Sequence, residues 1–249
     1  MADLSNRLGE ILRAYHATGA PKKPVPYSVD GRTAWNLRMT LGSPGEHELT
    51  LRNLRVGDER LLRSFRDELS PRSRELFCPY PWDDESRLLK AFETAVVAAE
   101  KRVDVSYLML IAGRPVGHFF LWKAGGNDHS RRHGVEVPEL GVALGDGFQG
   151  RGLGYLAVEI LKAVAEHLGS DAIELTTAPS NDAGWRTYRK AGFAFRGMIQ
   201  NPLEADVTAV TAGEVRATKF RTERQMAFII NEAKRKEVLA YLAEKRGVS

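Results

Sequence analysis

Residues 139–154 read ELGVALGDGFQGRGLG, and no other stretch constrains the fold as tightly. A short apolar run, Leu140 to Leu144, meets a turn carrying Gly147, Gly150, Gly152 and Gly154. A helical pattern follows directly over residues 155–168. A strand that feeds a helix through glycine leaves free backbone N–H groups at the helix N-terminus. That is an anion site suited to a pyrophosphate, and glycine lets phosphates approach the backbone closely. Two common phosphate loops do not fit. A Walker loop needs Lys-Ser/Thr after its last glycine, and Gly154 is followed by Tyr155 and Leu156. A dinucleotide fingerprint needs G-x-G-x-x-G and an acid about 20 residues on. Here the glycines fall at 150, 152 and 154, and the next strand ends Leu175-Thr176-Thr177. A glycine turn without a ligand is the bland alternative, and it spends backbone entropy with no structural need.

After the helix, residues 172–177 (AIELTT) read as a short strand bounded by Gly169-Ser170 and Pro179. The run SNDAGWRTYRKAGF from Ser180 to Phe193 then reads as a helix. Ser180 or Asn181 serves as its N-cap and Gly192 as its stop. Two signatures therefore stand in order. Gln149 to Gly154 fits Q/R-x-x-G-x-G/A, and Asn181, Tyr188, Gly192 and Phe193 fit N-x-x-A/G-x-x-x-Y-x-x-x-G-F. On these motifs the chain resembles the GNAT superfamily of acyl-coenzyme A N-acyltransferases. The resemblance spans roughly residues 47–230, with 135–197 its informative core. Around both signatures it is similar to the ribosomal-protein N-acetyltransferase branch.

The resemblance implies an α/β fold with a central mixed, mostly antiparallel sheet of about six or seven strands. One strand pair is splayed, and helices flank the sheet. It also implies N-acetyl transfer, in which an amine attacks the thioester of acetyl-coenzyme A directly within a ternary complex. Acetyl-coenzyme A is then the co-substrate, no metal takes part, and the acceptor is an amine-bearing small molecule or peptide. Cofactor binding falls to Gln149, Gly150, Arg151, Gly152, Leu153, Gly154 and Tyr155 around the pyrophosphate. The backbone of Val142, Ala143 and Leu144 lies along the pantetheine arm, and Asn181 bonds that arm or caps its helix. Tyr188 matches the proton donor to the leaving thiolate; a phenol of pKa about 10 and a thiol of about 8.5 suit that transfer. A packing tyrosine on an amphipathic helix is the alternative. The ribosomal-protein enzymes carry a glutamate five residues before the motif asparagine, where this chain has Thr176, which cannot act as a base. The resemblance implies Glu139 as the general base, since it lies close to where other members place a basic glutamate, with Glu136 and Glu174 in reserve; an amine that arrives neutral needs no base.

Length and composition agree with this reading. At 249 residues, 43% hydrophobic and 27% charged, the chain has ordinary globular composition and can bury a sizeable core. A formal charge of +4 favours anionic ligands mildly, and nothing calls for nucleic acid. A single cysteine excludes a disulfide framework. No apolar run approaches the roughly 18 residues of a membrane span, and the first residues lack a signal-peptide core. The expectation is a cytoplasmic protein; a homodimer stays open.

Three regions are expected: an N-terminal helix and arm over 1–46, an acyltransferase domain over 47–230, and a C-terminal helix over 231–249. Leu4, Leu8, Ile11, Leu12 and Tyr15 have helical spacing, and 17–46 reads as linker or short ordered arm. Within the domain, strands are expected at 47–54, 106–111, 115–122, 193–198 and 225–230, and helices at 58–69 and 85–101. Residues 71–82 and 123–134 read as loops. His129 and His133 have H-x-x-x-H spacing, but no glutamate follows His129, so a solvated loop is expected rather than a metal site. Cys78 reads as a buried packing thiol, and Pro79-Tyr80-Pro81-Trp82 as substrate wall or core plug. Two other functions stay open: a non-catalytic acyl-coenzyme A sensor, and an interaction protein using the N-terminal arm and C-terminal helix.

Overall fold

The computed structural model describes residues 4–19, 26–42, 48–77, 80–202 and 220–247. Its strands are β1 (Tyr27–Thr33), β2 (Asn36–Leu41), β3 (Leu49–Asn53), β4 (Val105–Ile111), β5 (Arg114–Trp122), β6 (Glu139–Leu144), β7 (Ala172–Thr177), β8 (Ala194–Pro202) and β9 (Phe220–Ile229). They form one nine-stranded sheet in the order β1-β2-β3-β4-β5-β6-β7-β9-β8. Neighbours run antiparallel throughout except β6 and β7, which are parallel and share only the register pair Glu139↔Glu174.

Side-chain alternation divides the core into layers. Leu140, Ile173, Leu175 and Met226 face one side, where they pack with α1 (Leu4–Gly19), α6 (Leu153–His167) and α7 (Asp182–Lys190). On the opposite side, α2 (Glu59–Asp67) and α4 (Glu85–Glu100) cover β4 through Leu108 and Leu110. There α8 (Arg235–Lys245) covers β7 and β9 through Val238, Tyr241 and Leu242. The sequence of α6 is apolar almost all round, and nine of its residues are buried, so it forms the centre of its layer. In α1, Leu4, Leu8 and Leu12 are buried in the same core. Burial of each contributes roughly 2 kcal/mol before entropy is counted, enough to dock the helix rather than leave it frayed.

The sheet is larger than the six or seven strands expected. The segment 17–46, read as linker or arm, contains the hairpin β1–β2, paired to β3 from Arg38↔Arg52 to Leu41↔Leu49. Its first strand, YSVDGRT, has no buried residue, so alternation could not reveal it. The loop at 71–82 contains the short helix α3 (Pro71–Leu76), opened by Ser70, whose side chain accepts from the Ser73 N–H. The loop at 123–134 contains α5 (Asp128–Arg131), capped by Asn127. Cys78 and Pro79 lie outside the described residues. Tyr80 and Trp82 are core plugs, buried with Phe65 and Phe92, and the Trp82 indole donates to the Phe77 carbonyl at 2.6 Å. Among the described residues, no helix is long and apolar enough to cross a membrane, and no group of three His, Cys, Asp or Glu side chains could hold a metal.

His118 on β5 is fully buried, with its ring stacked on Tyr80 and its Nε2 2.9 Å from Ser106 Oγ. Its Nδ1 meets no hydrogen-bond partner among the described residues. Desolvation pushes its pKa from 6.5 down to about 3. Between those values the unfolded chain holds a proton that the folded chain does not. Stability therefore falls as pH drops below about 6.5, by roughly 1.4 kcal/mol per unit from this group alone. His118→Gln should flatten the loss of urea midpoint between about pH 6.5 and 4.5; a slope equal to wild type would contradict this account.

Candidate active site

The parallel seam between β6 and β7 opens beyond its one register pair. Gly145 N–H donates to Val116 on the β5 side at 2.9 Å, whereas the Pro138 carbonyl accepts from Glu174 on the β7 side at 3.1 Å. Backbone polar groups alternate sides along a strand. Val142 and Leu144 therefore turn theirs toward the opening, where no strand among the described residues pairs with them, while Ala143 turns its own to His118 across β5. Backbone donors and acceptors in such a place need another partner. A cleft of about 440 Å³ occupies the opening. It is lined by β6 from Leu140 to Leu144, by Gln149, Gly150, Gly152, Gly154 and Tyr155, and by Thr176 and Thr177. Tyr188 and Asn181 complete one wall, and Ser73, Leu76 and Phe77 at α3 the other.

The loop between β6 and α6 makes a tight turn over Asp146–Phe148 and then needs left-handed backbone at Gly150 (φ +73°) and Gly152 (φ +80°). Side chains rarely tolerate that conformation, which explains the glycines. Gly152 is the N-cap of α6, and the first bond of the helix runs from Leu156 N–H to the Gly152 carbonyl at 3.0 Å. The N–H groups of Leu153, Gly154 and Tyr155 precede it, and no acidic residue stands in that first turn. Gln149 folds back onto the loop, with Nε2 donating to the Leu144 carbonyl at 3.1 Å and to Asp146 at 3.2 Å. Asp146 in turn accepts from the Ser70 N–H and the Ser73 hydroxyl, which ties α3 to the loop. Partial burial pushes its pKa up, but these bonds outweigh it and hold the carboxyl below its ordinary range. Arg151 and Leu153 do not line the cleft: the Arg151 guanidinium lies 5.3 Å over the Phe148 ring, and Leu153 is buried in the core.

Tyr188 lines the cleft from α7 and is buried. Desolvation, helped by the negative charge of Glu223, pushes its pKa up to about 12, so the phenol stays protonated through the neutral range. Asn181 caps α7, accepting from Gly184 N–H at 2.9 Å and donating to Thr177 Oγ1 at 3.0 Å. Lys190 lies 4.6 Å over the Tyr155 ring at the edge of the same cleft.

The three carboxylates considered as base are not among the lining residues. Glu139 lies at the closed end of the seam, where Lys245 Nζ stands 3.4 Å from it and 2.9 Å from Glu174. Burial, followed by the charge of Glu174, pushes the Glu139 pKa up, while Lys245 draws it down. Glu174 is buried and accepts from Tyr241 and Gln225. Glu136 pairs with Arg131 at the surface. A different carboxylate, also outside the lining, is linked by hydrogen bonds to the cleft-lining Thr176. Asn201 donates to both Thr176 Oγ1, at 2.9 Å, and Glu223 Oε2, at 2.6 Å. Glu223 is buried and also paired with Arg221. Sequence reading missed both residues because it ended one late strand at 198 and began the next at 225, whereas β8 reaches Pro202 and β9 starts at Phe220. The run Thr222-Glu223-Arg224-Gln225 is polar throughout, so alternation gives no signal for this part of β9.

A sheet opened at its one parallel pair, with a glycine loop and a helix N-terminus at the mouth, is the build of an acyl-coenzyme A transferase. Residues 48–194 match the family model of the acetyltransferase (GNAT) domain, and the chain belongs to that family. No curated protein matches it. Among solved structures, a GNAT-family acetyltransferase from Streptococcus pneumoniae aligns with TM-score 0.54 and 22% identity over 73% of this chain and 99% of its own. The Salmonella typhimurium acetyltransferase that modifies the N-terminal serine of ribosomal protein L7/L12 aligns with TM-score 0.52 and 14% identity over 74% and 95%. The putative acetyltransferase yncA of Salmonella typhimurium, solved with acetyl-coenzyme A, aligns with TM-score 0.53 and 16% identity over 74% and 95%. At these identities the structures speak for the fold.

Proposed function

We propose that this acetyltransferase moves the acetyl group of acetyl-coenzyme A to a primary amine, by direct attack in a ternary complex. The observation that carries the reading is the cleft itself, which gathers unpaired β6 backbone, the glycine loop and the Tyr188 phenol into one opening. The site fits the co-substrate. Gly150 and Gly152 present backbone without side chains, and the first-turn N–H groups of α6 suit a pyrophosphate. Val142 and Leu144 offer amides to the pantetheine arm, while Ala143 lines the cleft with its backbone paired to β5. Gln149 shapes the loop, and Asn181 caps α7 beside the arm.

In the reaction the amine nitrogen bonds to the thioester carbon as the carbon–sulfur bond breaks. A backbone N–H of β6 faces the transient oxyanion. The leaving thiolate takes the proton of Tyr188, and the amine gives up its own. For that second proton Glu223 suits better than Glu139. Glu223 adjoins the cleft-lining Thr176 through Asn201, and its charge reaches Tyr188. Each carboxylate has a cationic partner, Arg221 for Glu223 and Lys245 for Glu139, but Glu139 lies at the closed end of the seam. In this reading Glu223, on the neighbouring strand, takes the part of the carboxylate that related enzymes carry at the Thr176 position. The acceptor is an amine-bearing small molecule or peptide. Within residues 1–46, the described strands β1 and β2 extend the sheet beyond β3.

A non-catalytic acyl-coenzyme A sensor is the second reading, favoured by Thr176 standing where a base is expected. Calorimetric titration with acetyl-coenzyme A, with NAD and ATP as controls, should give selective one-to-one binding, and thiol release across an amine panel should identify an acceptor. Binding without turnover on any amine selects the sensor; absence of binding removes both readings. Tyr188→Phe should lower turnover on the order of 10²-fold with acetyl-coenzyme A affinity nearly unchanged. Lost affinity with normal turnover at saturation would take Tyr188 out of the acid role. Glu223→Gln should cut kcat roughly tenfold or more below the pKa of the amine and recover as the amine becomes neutral, with Glu139→Gln far milder. Full turnover at every pH would remove Glu223 from the mechanism.

A further inference from the structure

The N-terminal helix reaches the glycine loop through the side chain of Tyr15. Tyr15 on α1 donates its phenol O–H to the backbone carbonyl of Arg151 at 2.9 Å, across 136 residues of sequence. Its ring lies 3.3 Å from the position a Cβ on Gly152 would occupy. The helix that carries it is anchored, because Leu8 and Leu12 are buried in one core with Leu156 and Ile160 of α6. Desolvation raises the Tyr15 pKa, which keeps the phenol in its donor form. Tyr15 lies outside residues 48–194, the part matched by the family model.

The geometry of the peptide group turns this contact into a statement about the cleft. In a planar trans peptide the N–H points opposite to the preceding C=O. A bond that draws the Arg151 carbonyl toward α1 therefore aims the Gly152 N–H away from α1. Gly152 lines the cleft and Tyr15 does not, so that direction is into the opening. The loop needs such a restraint. Glycines at 150, 152 and 154 have wide conformational freedom, and an anion nest binds tightly only when its donors are already oriented.

We propose that Tyr15 is a positioning residue for acetyl-coenzyme A, orienting the Gly152 N–H toward the pyrophosphate without touching it. The proposal rests on the acetyl-coenzyme A reading of the cleft. Tyr15→Phe keeps the ring and removes only the hydroxyl, and the Arg151 carbonyl it frees is exposed enough to take water. Calorimetry should show acetyl-coenzyme A affinity weakened about three- to tenfold, with the melting temperature retained. In the free protein the Gly152 amide resonance should move while those of β4 and β5 stay in place. Once an acceptor is in hand, KM for acetyl-coenzyme A should rise with kcat and the acceptor KM unchanged. Wild-type affinity in Tyr15→Phe, or a weakening matched by a lower melting temperature and shifts throughout the sheet, would overturn the proposal. Wild-type protein that fails to bind acetyl-coenzyme A would instead overturn the reading of the cleft.

Discussion

Lys245 stands between two carboxylates at the point where β6 and β7 part. Its ammonium lies 2.9 Å from Glu174 and 3.4 Å from Glu139, the two residues of the single parallel register pair. Burial disfavours its charge, yet Glu139 and Glu174 outweigh that and hold it protonated beyond its usual range. Without a cation there, two carboxylates on adjacent strands would repel, and one would take up a proton. Tyr241, also on α8, donates to Glu174 and completes the clamp. The seam is thus held shut at one end by an ionic contact and left open at the other, and the cleft is the result.

The same opening is spanned by α3. On the β6 side Ser70 and Ser73 bond Asp146. On the β7 side Arg72 reaches the Ser180 carbonyl at 3.4 Å, and Arg221 of β9 donates to the Glu75 carbonyl at 2.6 Å. A short helix with few buried contacts of its own is thereby fixed to both walls. Through Arg221 it is also coupled to Glu223, so the wall of the cleft and the proposed base share a hydrogen-bond network.

The centre of the chain was legible because local rules decide it. Gly150 and Gly152 occupy conformations that glycine alone adopts easily, and Asn181 bonds a backbone N–H three residues on. Such features are written within a few residues. The strand Ala172–Thr177 and the helix Glu85–Glu100 were legible from periodicity and caps. What escaped depends on distant partners. The strand β1 has no fully buried residue, Tyr27 and Val29 being only partly covered, and its pairing with β2 and contacts with α1 define it. Glu139 has the sequence context of a base, but α8, more than 90 residues later, captures it. Asn201 and Glu223 lie beyond the apolar cores of their strands, where polar residues conceal the continuation of the ladder.

The sheet order has a consequence for a chain made from its N-terminus. The motifs from Glu139 to Phe193 are complete before β9 exists, yet β9 is the strand that pairs with the outer edge of β7. Until then β7 presents an unpaired edge, and the carboxylates of the seam face each other without Lys245. A nascent chain that already carries every recognisable signature would thus still lack the strand that braces β7 and the cation that joins the seam. Every residue that lines the opening precedes β9 in the chain, yet the pairing and the cation that brace its β7 wall arrive only with β9 and α8, so the site's walls and their support are made at different times.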